Sequence, residues 1–78
     1  MFAFTITNRN GKTLAGRDLK STSQRHAHRF AREAARDLAA RQTLTLTFNG
    51  EVVETFKTNA KGEVAFTLVA KVEAPAAA

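Results

Sequence analysis

This 78-residue sequence predicts a two-layer α+β fold, with one helix packed on a mostly antiparallel sheet. Three observations predict it. Short runs such as FAFTIT (2–7) and TLTLTF (43–48) alternate in the period of half-buried strands. The segment RHAHRFAREAARDLAAR (25–41) switches to a helical period. Asn49-Gly50 stands between two alternating runs, the strongest short hairpin signal a sequence can carry. The predicted order is β-β-α-β-β-β, with residues 1–73 forming a single domain and APAAA (74–78) a disordered tail.

The elements follow in chain order. In FAFTIT, Phe2, Phe4 and Ile6 share one side. NRNG (8–11) is turn chemistry, and KTLAG (12–16) reads as a short return strand that contributes Leu14. The helix is predicted over about 22–41, with Ser21 as N-cap in a Ser-x-x-Gln capping box closed by Gln24. TLTLTF and EVVETFKT then flank Asn49-Gly50. A two-residue turn there would pair Val53 with Leu46. A bulged turn would pair Val52 with Phe48 and Phe56 with Leu44, and it is preferred because it sets Phe56 beside Phe66. TNAKGE (58–63) makes the second turn, and EVAFTLVAKV (63–72) is the last strand.

Composition narrows the class. Apolar content of 44% and charged content of 24% suit a globular chain. A chain of this length buries a little over half of its unfolded surface, enough for a modest core with little room for a dry pocket. There is no cysteine, so disulfides and thiolate metal sites are excluded, which fits the expected cytoplasmic location. MFAFTITNRN has no secretory pattern, and VAFTLVA (64–70) is too short to span a bilayer, so no membrane partner is expected.

Charge is unevenly placed. Residues 1–42 hold nine Lys/Arg against Asp18, Glu33 and Asp37, whereas residues 43–78 hold three Lys against four Glu, so the whole net charge of +5 comes from the first part. Such asymmetry points to an anionic partner. On a helical wheel Ala27, Phe30, Ala31, Ala34, Ala35 and Leu38 form an apolar stripe. Arg25, Arg29, Arg32 and Arg36 fall within about 60° of one another and run about 16 Å along the axis. Guanidinium forks suit phosphates and carboxylates, so these four are the candidate binding residues, against the plainer reading of a solvated helix face. Arg9, Lys12 and Arg17, on the first hairpin and the loop after it, are candidates to extend the basic area. Arg29–Glu33, Glu33–Arg36 and Asp37–Arg41 are expected to offset the like-charge pairs within the ridge.

Other residue sets carry less. His26 and His28 point about 160° apart on a helix, so they do not share a metal ion and are expected to be surface or helix-flank histidines. The seven threonines at 5, 7, 43, 45, 47, 55 and 67 read as a wet strand face, most of them on the side away from the helix. With no Trp or Tyr, and six Phe that the core needs, base stacking is not expected. No nucleophile–base–orienter set, glycine-rich phosphate loop or G-x-S-x-G occurs, so neither catalysis nor a cofactor is expected.

Two functions remain. One is a small nucleic-acid-binding protein whose arginine ridge lies along phosphates with little sequence preference. The other is a protein-binding module that docks on the acidic or nucleoprotein surface of a larger complex. In size, absence of catalytic motifs and one-helix-on-sheet layout over residues 2–72, the chain resembles the small phage-encoded inhibitors of bacterial defence of the anti-CRISPR kind. That resemblance implies stoichiometric blocking of a nuclease or guide-RNA complex in a bacterial host cell, and it assigns no residue. A third expectation is a structural or assembly component of a phage or bacterial complex, with a second copy paired through a sheet edge as a further candidate partner.

Overall fold

In the computed structural model, which describes residues 1–20 and 23–71, six elements appear among the described residues. They are β1 (Phe2–Thr7), β2 (Thr13–Leu19), α1 (Gln24–Ala35), β3 (Thr43–Phe48), β4 (Glu51–Thr58) and β5 (Val64–Leu68). The strands form one sheet in the order β2-β1-β3-β4-β5, every neighbouring pair antiparallel. The helix lies on one face, so the α+β two-layer class is the observed one. No helix among the described residues is long and apolar enough to cross a membrane. The expected tail at 74–78 lies outside the described residues.

The two longer turns share one local design. In NRNGK, Asn8 Oδ1 accepts from the backbone N–H groups of Asn10 and Lys12, each at 2.9 Å. In NAKGE, Asn59 Oδ1 accepts from Lys61 N at 2.9 Å and Glu63 N at 3.0 Å. An asparagine side chain here satisfies donors that the ladder has left behind. The third hairpin is tighter. Phe48 pairs with Glu51, leaving Asn49 (φ 52°) and Gly50 (φ 88°) as a two-residue turn with both central residues left-handed.

A Cβ at position 50 would meet nothing within 4 Å, so a side chain there strains only the backbone. Gly50→Val is therefore expected to cost about 1–3 kcal/mol, read as a lower urea midpoint with an unchanged slope.

The register of β4 departs from both sequence expectations. The turn is the two-residue one, yet Leu46 pairs with Glu54 and Thr47 with Val52, so Val53 is an extra residue in the strand. Val52 thus faces Thr47 and not Phe48, while Phe56 pairs with Leu44 and with Phe66 as expected. A one-residue insertion changes which face each later side chain occupies. Without it Glu54 and Phe56 would point away from the helix. With it both lie beneath the helix, at 2% and 3% exposure.

Three boundaries differ. β2 extends to Leu19, so Arg17 lies on a strand and not in a loop, and Leu19 is the residue β2 buries, opposite Phe2. Leu14 falls at the register irregularity after Ile6 and is half exposed. β5 is confined to Val64–Leu68. The helix begins at Gln24, with Ser23 in the extended N-cap conformation; Ser21 lies outside the described residues. It ends at Ala35, well short of 41, because the chain tightens into three-residue turns, Asp37 N–H to Ala34 O and Leu38 N–H to Ala35 O. The segment is then held by the sheet. The hydroxyl of buried Thr58 lies 2.7 Å from Ala39 O and accepts from Gln42 N–H at 2.9 Å. Arg41 takes φ 63°, which a helix forbids.

The core joins Phe2, Phe4, Leu19, Leu44, Leu46, Val53 and Phe56 of the sheet to Ala27, Ala31 and Ala35 of the helix. Five strands at about 4.8 Å spacing make a sheet about 19 Å wide, and a helix covers about 10 Å of it. The helix packs on β3, β1 and β4, so it leaves the helix-side residues of β5 uncovered. Val64, Phe66 and Leu68 are accordingly 45–47% exposed. On the opposite face all seven predicted threonines are present, and Thr5, Thr45, Thr55 and Thr67 form a direct cross-strand row.

Candidate functional site

The helix owes its placement to alanine. Ala27, Ala31 and Ala35, four residues apart, form the buried meridian, and their small side chains let the helix approach the sheet. Arg25, Arg29, Arg32 and Arg36 are all exposed. On the wheel their mean direction lies about 130° from that meridian, so the ridge leans toward one flank of the helix instead of crowning it. Arg32 and Arg36 reach the β5 side. The offsetting pairs expected with Glu33 and Asp37 are not formed: among the described residues the one carboxylate in close contact with a basic side chain is Glu54, held by His28. Asp37 and Arg41 cannot pair across a helical turn because both lie beyond the end of α1. The four guanidiniums therefore keep their charge unneutralised by described carboxylates.

The β5 flank is a groove of about 410 Å³, lined by His28, Arg32, Ala35, Arg36, Phe56, Val64 and Phe66. Its volume is within the range of small-ligand sites. Phe56 and Phe66 pack with centroids 5.1 Å apart, and the His28 ring meets Phe66 edge-on at 5.0 Å. Beneath them the carboxylate of Glu54 is fully enclosed. Glu54 Oε1 lies 2.6 Å from His28 Nδ1, and Oε2 accepts from Gln24 Nε2 at 2.8 Å. A carboxylate only accepts, so the Nδ1 proton of His28 points at Glu54, and Nε2 is the nitrogen left for an outside partner. Gln24 also donates to Ala70 O at 3.0 Å, tying the start of the helix to the chain after β5. The groove thus has an aromatic floor, a wall whose imidazole is held by a buried carboxylate, and two arginines on its rim.

His28 is accordingly a helix-flank histidine, half-buried against Glu54. His26 and His28 do diverge: His26 is exposed on the other flank, its ring 6.4 Å from Phe30. Phe30, expected in the apolar stripe, is 44% exposed, because the fully buried line of the helix runs along Ala27, Ala31 and Ala35. A second groove on that flank is lined by Arg17, Asp18, Leu19, Lys20, His26 and Phe30. Arg17, opposite Phe4 on β2, therefore belongs with Asp18 across the helix from Arg32 and Arg36. Arg9 and Lys12 sit in the exposed β1–β2 turn. The three expected extensions do not continue the rim of the β5 groove.

Sequence reasoning missed Glu54, His28 as its partner, and Phe66 as an exposed ring. A signal for the first two was present. A register that turns Phe56 inward turns Glu54 inward as well, two residues earlier on the strand, and a buried carboxylate demands a donor from the covering helix. No protein-family model, curated protein or solved structure matches this chain. What the site can do chemically rests on its own residues: fixed positive charge beside exposed apolar rings, suited to anionic groups carried on a flat or apolar body.

Proposed function

We propose that this protein is a small non-enzymatic binding module that engages the phosphates of nucleic acid, free or within a nucleoprotein complex, through Arg25, Arg29, Arg32 and Arg36. The observation that carries the reading is the exposure of all four on one flank of the helix with no described carboxylate paired to any of them. Like charges at four-residue spacing, Arg25–Arg29 and Arg32–Arg36, cost a helix about 0.2–0.5 kcal/mol per pair, and a bound polyanion removes that cost. Contacts to phosphate carry affinity and steering without sequence information.

The test is fluorescence anisotropy of labelled oligonucleotides across a salt series. Four phosphate contacts give a log–log slope of about −3.6 on duplex DNA and about −2.8 on a single strand. Replacing all four arginines with glutamine is expected to bring the slope close to zero. Because the side chains are exposed, the melting temperature should hold or rise slightly as the like-charge pairs are relieved. If the wild-type chain binds no nucleic acid at low salt, the reading fails, and capture of a protein assembly from bacterial lysate becomes the decisive measurement.

A further inference from the structure

We propose that the groove between α1 and β5 receives an unpaired nucleobase, which stacks on Phe66 while Arg32 and Arg36 hold the flanking phosphates, so that the protein selects single-stranded over duplex nucleic acid. The inference deepens the phosphate-binding reading above and rests on it. Its own observation is the pairing of an exposed aromatic ring with the part of the ridge that leans toward it. Phe66 is 47% exposed although its inner face packs on Phe56 and His28. Arg32 and Arg36, one turn or about 6 Å apart, line the same groove.

Aromatic side chains beside a basic track are how proteins hold single strands, because every base has a face that stacks. In a duplex both faces of a base are already covered, so Phe66 offers a duplex nothing. Charge complementarity places the ligand on this flank. Among the described residues no carboxylate lines the groove, and Glu54 beneath it is enclosed by His28 and Gln24. The groove on the other flank has an exposed ring too, Phe30, but Asp18 lines it, and Glu33 stands beside Phe30 and Arg29. A phosphate entering there meets carboxylates. From Arg36 and Arg32 a strand can continue along the helix to Arg25, about 16 Å in all.

The experiment uses the full chain and measures dissociation constants for a thymine homopolymer and a uracil ribo-homopolymer, each about twelve nucleotides long, and for a duplex of the same length. The two homopolymers distinguish DNA from RNA as the source of the base. A polyglutamate peptide of matching charge serves as competitor. The single strands are expected to bind more tightly than the duplex, and Phe66→Leu to weaken them roughly tenfold while leaving the duplex unchanged. The paired variant Arg32→Gln/Arg36→Gln is expected to lose more single-strand affinity than Arg25→Gln/Arg29→Gln. This comparison holds even if Phe66→Leu disturbs the fold, since it touches exposed side chains only.

The inference is overturned, with the phosphate reading intact, if the duplex binds as well as the single strands and the two arginine pairs lose affinity equally. It is overturned as well if a folded Phe66→Leu variant keeps its single-strand affinity, or if polyglutamate displaces the homopolymer as effectively as unlabelled homopolymer does. If neither single strand nor duplex binds, both readings fall together.

Discussion

Phe2→Ala is expected to remove a large share of the domain's stability. Phe2 is completely buried although it is the second residue, because β1 is the second strand of the sheet and is flanked on both sides. Its neighbours are Leu19 on β2 and Phe48 on β3, and its ring lies 4.6 Å from that of Phe48. The backbone around it is anchored, with Asn49 N–H donating to Met1 O at 3.0 Å, so the site has little freedom to collapse around a void. Truncation of a buried phenylalanine costs about 3–5 kcal/mol. At about 0.05–0.15 kcal/mol per residue, the whole domain has about 4–12 kcal/mol to lose. Urea denaturation followed by circular dichroism measures the loss. A cost below about 1 kcal/mol would mean that the N-terminal strand is not part of the cooperative core.

The second large effect concerns the carboxylate under the helix. His28→Leu removes the shorter of the two hydrogen bonds that Glu54 accepts and leaves a carboxylate at 2% exposure with Gln24 as its remaining donor. Removing one partner of a buried pair costs about 3–5 kcal/mol, because the other charge stays out of water. The lower end, about 3 kcal/mol, is expected, since the His28 side chain is 31% exposed and water can approach from its side. Glu54→Leu should cost less than His28→Leu, as the histidine it strands can turn to solvent. The double variant His28→Leu/Glu54→Leu should recover most of the loss, since apolar residues of similar volume replace buried ion pairs at little cost. The three midpoints from chemical denaturation form the check. A double variant no more stable than His28→Leu alone would show that the pair does not act as a unit.

These two expectations come from opposite ends of legibility. Phe2 belongs to an alternating run whose buried face can be read directly, and the structure buries Phe2 and Phe4 on that face. Glu54 depends on Val53 being an extra residue in β4, a detail decided by how β4 meets β3 and not by the alternation of EVVETFKT. The helix end shows the same division. Residues 36–41 keep a helical composition, but the hydroxyl of Thr58, from β4, meets Ala39 O and the Gln42 N–H there. Propensity yields where tertiary hydrogen bonds replace helical ones.

The six-element order, the Asn49-Gly50 turn, the alanine meridian and the gathering of four arginines on one helix flank were set by the amino-acid sequence alone. Each depends on residue period or on local backbone chemistry, which neighbours along the chain supply. The direction in which the ridge leans, the enclosure of Glu54 by His28 and Gln24, and the half-open Phe66 beside Arg32 and Arg36 were decided by the tertiary structure. A single helix is narrower than a five-stranded sheet, and its position over the central strands β1, β3 and β4 leaves the helix side of β5 exposed.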